Sequence, residues 1–192
     1  MKNFLLTTVM GFTLATAAQA EPVTYMLDAS HSQIVFSYNH LGFSTTTGMF
    51  SGFEGRIELD AEDPAASSVE VSFPAQSLIT GWPAREGHFL TEDFFSADAN
   101  PLVTFTSTAV EVTSDNTGMV TGDLTMNGIT KSVVLDATMN QLANHPMANR
   151  PWAGFDATTT LLRSDFDMGK FAPFVGDEIA INISIEAMVP AD

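Results

Sequence analysis

The chain has 192 residues, no cysteine and a formal net charge of −16. Nucleic-acid binding requires a basic footprint, so this composition excludes it, and it also disfavours electrostatic attachment to anionic lipid. The lack of cysteine excludes a disulfide framework, a cysteine nucleophile and a thiolate metal site. One domain with a full hydrophobic core is expected for this length.

Residues 1–20 have the pattern of a secretory signal peptide. A positively charged start precedes a mostly apolar run, which ends in the small-x-small cleavage pattern Ala18-Gln19-Ala20. The apolar run is shorter than the ~20 residues that a membrane-spanning helix needs, and threonines interrupt it. We therefore expect cleavage near Ala20, export to the periplasm or out of the cell, and a mature domain over residues 21–192.

Alternation of apolar and polar residues predicts β-strands along most of the mature chain. The pattern indicates eight or nine mostly antiparallel strands, of which the first is short. In chain order, the predicted strands span residues 23–27, 32–38, 52–60, 68–73, 102–112, 119–126, 130–139, 155–162 and 178–187.

Turn residues separate these strands, and helix is scarce. Asn127-Gly128 between two strands is the strongest hairpin signal. Pro83 followed by residues 84–95 (AREGHFLTEDFF) is the best helix candidate, because proline is favoured at the first helical position. We expect a second short helical turn over Asp165–Phe171 and a surface loop over residues 141–151, which contain two prolines.

This number of strands predicts either a sandwich or a closed barrel. Many strands have eight to eleven residues, which is roughly 26–36 Å at ~3.3 Å per residue and favours an elongated barrel. A barrel of about eight strands encloses either packed side chains or one small ligand. Fifteen phenylalanines and ten methionines indicate an apolar interior, and composition alone favours a filled core over a ligand channel.

The strongest candidates for chemistry are Arg85, Glu86 and His88 in the predicted helix. Residues 85 and 88 share a helix face and residue 86 does not. Two cations on one face suit an anion clamp better than a general base. The structural alternative is an arginine that pairs with a carboxylate and fixes the helix at a barrel end. Arg163 follows a predicted strand, and its two interpretations are a salt-bridged turn and a functional residue at a barrel end.

No sequence pattern predicts a catalytic or metal centre. The histidines lack the spacing of metal ligands on a strand or helix. The first histidine, His31, is expected to form a local hydrogen bond with Asp28. The sequence has neither a nucleophile elbow nor a phosphate-binding or dinucleotide-binding glycine motif. We predict no catalytic residue, no metal and no cofactor other than a bound lipid.

Four ordered blocks, residues 25–60, 77–108, 122–137 and 160–187, resemble the YceI-like family of polyisoprenoid-binding periplasmic proteins. The resemblance implies an all-β fold, an extended eight-stranded antiparallel lipocalin-like β-barrel with one or two short helices. It also implies that an isoprenoid of polyprenyl or quinone type, or a similar amphiphilic lipid, lies in an apolar channel with its head near the mouth.

The resemblance suggests which residues contact such a ligand. Phenylalanines are expected along the channel, and basic residues at the head of the ligand or the barrel end. These residues are Phe36, Phe43, Phe50, Phe94, Phe105, Arg85, His88 and Arg163. The sequence departs from the family pattern at Glu86, where the family usually has Asp, at Phe89, where it often has Leu, and at Asp167, where it has Gly. Asp167 adds negative charge near the expected entrance.

Two other functions stay open at this point. The first is a secreted, stress-related interaction protein whose barrel core is filled. The second is an enzyme that acts on a lipid or ester and uses His88 with a carboxylate. The sequence also leaves open whether the protein forms a homodimer and whether it contacts a membrane transiently.

Overall fold

Ten β-strands and one short α-helix make up most of residues 21–191, the part of the chain that the computed structural model describes. The predicted signal peptide lies outside these residues. The strands are β1 (Val23–Leu27), β2 (Gln33–His40), β3 (Ser44–Phe50), β4 (Glu54–Leu59), β5 (Ser68–Pro74), β6 (Leu102–Val112), β7 (Thr117–Met126), β8 (Ile129–Asn144), β9 (Pro151–Leu162) and β10 (Glu178–Met188). The helix α1 spans Pro83–Phe89, and short 3-10 helices span Pro64–Ala66, Ala75–Ser77 and Arg163–Phe166. Over residues 21–191, no helix has the length and apolar character needed to cross a membrane.

Eight strands form a closed antiparallel ring. Neighbours follow the order β1, β4, β5, β6, β7, β8, β9 and β10, and β10 pairs back with β1 through Leu27 opposite Ala187. The β2–β3 hairpin continues this ring, because β2 pairs with the same strand β10 that pairs with β1. β1 and β2 are thus two segments of one barrel strand, and β3 and β4 are two segments of the strand beside it. Counted in this way the ten strands form eight, and the predicted eight-stranded antiparallel barrel is confirmed.

The strands differ from the sequence prediction in two places. The alternation pattern does not predict β3, since this strand buries only Gly48 and Phe50 among threonines and other partly or fully exposed residues. The loop expected over residues 141–151 is shorter, because β8 continues to Asn144 and pairs with β9 from Pro151. A register shift between Met139 and Gln141 in β8 breaks the alternation and hides this extension in the sequence.

The predicted helix is shorter than expected. It begins at Pro83, as predicted, but ends at Phe89. The chain then reverses, with the Phe95 amide donating to the carbonyl of Phe89 (3.0 Å) and the Ala97 amide to that of Leu90 (2.9 Å). The compact segment after α1 packs Phe94, Phe95 and Ala97 into the larger core cluster of the barrel. The second helical turn begins at Arg163, two residues before its predicted start.

Inward-facing side chains form two packed clusters, one at each end of the barrel. The larger cluster, beside α1, contains the fully buried Phe53 and Phe166, and the smaller contains Tyr25 and Ala187. Between them, inward-facing residues in register with buried Ala157, such as Ile183, are only partly buried. The middle of the barrel is therefore less tightly packed than its ends.

Candidate functional site

A cavity of about 490 Å³ opens at the end of the barrel where α1 lies. This volume is within the range of about 300–1,000 Å³ that small-molecule pockets occupy. Strands β2, β3, β9 and β10 form its walls, together with α1 and the connection over residues 163–177. The lining is mostly aromatic and aliphatic, and it includes Phe89, Met168, Ile179 and Ile181. Such a cavity suits an apolar or amphiphilic ligand better than a polar one.

Packed aromatic rings form the inner wall of this cavity. The Phe50 ring centroid lies 5.6 Å from that of Phe36, 5.1 Å from Phe73 and 5.5 Å from Phe95. Gly48 allows this arrangement, because the Phe36 ring lies across β3 where a Cβ at residue 48 would overlap it. The wall is thus set by aromatic packing and by one glycine that makes room for a ring.

Six of the eight predicted ligand-contacting residues line the cavity. The other two lie elsewhere. Phe43 is 90 % exposed in the β2–β3 turn. Phe105 lies on the inward face of β6 with Val103, and its ring contacts the backbone of β7 at Gly122, away from the cavity lining. The six that come together are Phe36, Phe50, Arg85, His88, Phe94 and Arg163.

Arg163 is buried at the end of β9 and binds backbone carbonyls. Its Nε donates to the Gly176 carbonyl (2.9 Å), Nη1 to those of Met168 (2.6 Å) and Lys170 (3.1 Å), and Nη2 to that of Val175 (3.1 Å). Burial lowers the pKa of the guanidinium, and the charge of a nearby aspartate opposes this shift. Most of its donors are therefore used to hold the 168–176 segment at the mouth, through backbone carbonyls rather than through the salt bridge that the structural interpretation expects.

His88 belongs to a charged group that bridges α1 and the 163–177 connection. Its Nε2 lies 2.9 Å from Oδ2 of Asp93, and Lys170 Nζ lies 2.5 Å from Oδ1 of the same carboxylate. Hydrogen bonds from Lys170 and then His88 lower the pKa of Asp93. The imidazole and the Phe94 ring are nearly perpendicular, with centroids 5.2 Å apart. His88 thus pairs with a carboxylate, but this pairing joins two segments of the cavity mouth.

Arg85 and Glu86 have different roles, as their positions on the helix predict. The Glu86 carboxylate accepts the amides of Thr80 (2.7 Å) and Gly81 (3.1 Å), and so holds the turn before α1. Arg85 faces the cavity, with its guanidinium 5.9 Å from the centroid of the Trp82 ring. Arg85 is therefore the basic residue at the mouth that is best placed to meet a ligand head.

Asp167 lies outside the cavity lining. It follows the 3-10 helix with φ 56° and ψ 29°, which is the left-handed conformation that favours glycine. Aspartate tolerates this conformation better than most residues. Position 167 therefore requires a particular backbone conformation, and the carboxylate points to solvent rather than into the cavity.

Several lining residues were not singled out from the sequence. Tyr38, Trp82, Met168, Phe171, Ile179 and Ile181 all border the cavity. Strand alternation could have found Tyr38, Ile179 and Ile181, because each has the same inward parity as its predicted neighbours. Trp82, Met168 and Phe171 lie in connections, where alternation carries no information.

A histidine–carboxylate group lies outside the cavity lining, where β10 meets the β1–β2 turn. His31 Nδ1 is 2.7 Å from Asp28 Oδ2, which confirms the predicted local hydrogen bond. Asp28 and then Glu186 raise the pKa of His31. Within residues 21–191, these three side chains form a group that could share a metal ion. However, Glu186 also accepts the indole N–H of Trp152 (2.8 Å) and Asp28 accepts Ser30, so local hydrogen bonds already account for the group.

A closed eight-stranded antiparallel barrel around an apolar end cavity defines a lipocalin-like β-barrel. The family model of the YceI-like domain matches residues 25–187. The chain therefore belongs to the YceI-like family. Similar relatives include a UPF0312 protein of Ectopseudomonas mendocina, 35 % identical over 190 residues and covering 98 % of each chain. Another UPF0312 protein, of Pseudomonas syringae pv. tomato, is 36 % identical over 168 residues, covering 86 % of this chain and 87 % of the relative.

Solved structures share the fold. A YceI protein of Campylobacter jejuni superposes with a TM-score of 0.71 at 25 % identity and full coverage of both chains. BcnA of Burkholderia cenocepacia gives 0.75 at 24 % identity, covering 83 % of this chain and 98 % of BcnA. A polyisoprenoid binding domain from Saccharophagus degradans, implicated in plant cell wall breakdown, gives 0.64 at 15 % identity, covering 86 % of this chain and 98 % of that domain.

Proposed function

We propose that this protein is a periplasmic or secreted carrier of a long-chain isoprenoid, of polyprenyl or quinone type, or of a similar amphiphilic lipid. The observation that carries the proposal is the apolar cavity of about 490 Å³ at one end of the barrel. The Saccharophagus domain with the same fold is a polyisoprenoid binding domain, which supports this ligand class. An open cavity also argues against the alternative of a filled barrel.

The tail of the ligand lies along the aromatic wall, in this proposal. Each buried CH₂ group contributes about 0.8 kcal/mol, so a segment of a few isoprene units would bind well. The partly buried inward residues below the cavity, such as Leu135 and Ile183, mark the direction in which a longer tail extends. A bilayer is equally apolar, so the net free energy of transfer from lipid to protein is small and exchange is reversible.

The head of the ligand lies at the mouth beside Arg85. Arg163 and His88 border the same space, but their donors are engaged by carbonyls and by Asp93. Within residues 21–191 Arg85 forms no salt bridge, so its guanidinium is available to a polar head. Because no bond is made or broken, binding and release need only the apolar cavity and this polar mouth.

Two substitutions on β10 test the proposal. Ile181→Trp adds volume inside the cavity, whereas Asn182→Trp places the same ring on the outer face of the next residue. The titrated probes are a short-chain ubiquinone and a polyprenyl phosphate, followed by native mass spectrometry. We expect Ile181→Trp to lose at least tenfold in affinity and Asn182→Trp to match the wild type. Equal binding by both folded variants would remove this cavity as the lipid site.

A further inference from the structure

The mouth end of the barrel carries exposed apolar side chains on three segments, which we call the aromatic tip. Phe43 (90 %) and Leu41 (47 %) lie in the β2–β3 turn, and Phe174 (75 %) and Phe171 (52 %) lie between β9 and β10. Trp82 (60 %) precedes α1. Exposed fractions this large are unusual for aromatic residues, and their concentration at one end requires an explanation.

The segments of the tip are held together and border the cavity. The Leu41 amide donates to the Phe174 carbonyl (3.1 Å), which joins the two turns. Trp82 and Phe171 line the cavity as well as the surface. A tail that leaves the cavity therefore emerges among side chains of the tip. In water this path would expose the tail, whereas against an apolar layer it would not.

The charges around the tip favour a lipid bilayer as its partner. Two cations lie beside its rings. Arg85 is 5.9 Å from the Trp82 centroid, and Lys170 Nζ, which also pairs with Asp93, is 5.4 Å from the Phe171 centroid. Aromatic rings with adjacent Lys or Arg are typical of the membrane interface. Asp167, which is exposed on the adjoining turn, and the net charge of −16 oppose an anionic surface. The combination therefore suits zwitterionic head groups.

The small size of the tip disfavours a second copy of the chain as its partner. A stable protein interface takes roughly 20–30 residues from each side. The tip offers five apolar side chains. A bilayer needs no shape complementarity, so a few separate aromatic side chains are sufficient for shallow insertion.

We propose that the aromatic tip inserts into the surface of a zwitterionic bilayer and that the lipid passes between bilayer and cavity at the Trp82–Phe171 edge. The proposal rests on the proposed function and names the source of its ligand. Insertion would place the mouth at the level of the head groups, so the tail would exchange without crossing water.

Flotation of the mature protein with phosphatidylcholine vesicles tests this proposal. We expect the wild type to float with the vesicles, and the double variant Phe43→Ser/Phe174→Ser to lose at least tenfold in partitioning. The matched control is Met147→Ser, because Met147 is 87 % exposed in the β8–β9 turn at the opposite barrel end. This control should float like the wild type. Replacing a third of the lipid with phosphatidylglycerol should weaken the association.

Trp82 provides a second measurement. The chain has two tryptophans, so Trp152→Phe leaves Trp82 as the reporter. A blue shift of its emission on adding phosphatidylcholine vesicles is expected, and the shift should disappear in the double variant. Three results would overturn the proposal. They are a wild type that does not float, a double variant that floats like the wild type, and stronger flotation with phosphatidylglycerol. A dimer that dissociates only in the double variant would also overturn it.

The proposed function is measured separately in the same samples. Titration of the double variant with the short-chain ubiquinone should give the wild-type affinity, because neither Phe43 nor Phe174 lines the cavity. A protein that carries lipid but never floats would remove the membrane proposal alone. A protein that floats but carries no lipid would remove the carrier function, while the tip would stand as a membrane contact.

Discussion

Replacing Arg163 by methionine is expected to lower the free energy of unfolding by about 3–5 kcal/mol. The methionine keeps most of the apolar stem but removes four hydrogen bonds, to the carbonyls of Met168, Lys170, Val175 and Gly176. A hydrogen bond from a charged donor contributes roughly 1.5–3 kcal/mol. The full sum is not expected, because the 168–176 segment can relax and expose some of these carbonyls to water.

Urea unfolding measures this loss. With an m-value of about 2 kcal/mol/M, the midpoint should fall by roughly 1.5–2.5 M. Arg163→Lys is the matched control, because it retains the charge but cannot reach four carbonyls with one ammonium. Its urea midpoint should lie between those of the wild type and Arg163→Met. Amide exchange should accelerate at Val175 and Gly176, whose amides are bonded to Phe171 and Asn39. A midpoint change corresponding to less than about 1 kcal/mol in Arg163→Met would refute the assignment of Arg163 as the residue that holds this segment.

Two further predictions concern packing and protonation. Gly48→Ala should destabilise the fold by about 1–3 kcal/mol in thermal or urea unfolding, because the new methyl group displaces the Phe36 ring. Gly154→Ala is the control and should be close to neutral, because open space surrounds that position. Equal effects of the two substitutions would contradict the packing described for the cavity wall. In an NMR titration, the pKa of His31 should exceed its ordinary value of 6.5, because Asp28 stabilises the imidazolium, and Asp28→Asn should lower it. Since the folded pKa is raised, this stabilisation is present below the unfolded pKa and is lost as the pH rises through the folded pKa. An unshifted His31 in the wild type would show that the pair does not form in solution.

The barrel could be predicted because its main signals are local. Alternation along each strand and the Asn127-Gly128 turn depend on neighbouring residues alone. Both residues of that turn have positive φ, at 50° and 73°, and Met126 pairs with Ile129 across it. A two-residue turn of this kind is what the hairpin signal predicts. The regular part of the fold is therefore readable from the sequence.

The site was harder to predict from the sequence because its contacts are long-range. Arg163 donates to carbonyls five to thirteen residues away. Every residue has a backbone carbonyl, so the sequence does not show which carbonyls bind an arginine. β3 lacks apolar alternation because it buries only Gly48 and Phe50, and it is held through its backbone pairing with β2. Phe43 and Phe105 have the residue type of a channel wall, but the turn and the register place them elsewhere. The residue types predicted an apolar site with basic residues at its mouth, but they did not identify all of the residues that form it.

The most direct test of the carrier function is native mass spectrometry of the mature protein, purified from the cells that produce it, followed by organic extraction. The proposed function predicts a stoichiometric adduct that is released on denaturation and has the mass of an isoprenoid or similar amphiphilic lipid. A clean apo mass, with no shift on adding quinones or polyprenyl phosphates, would contradict it.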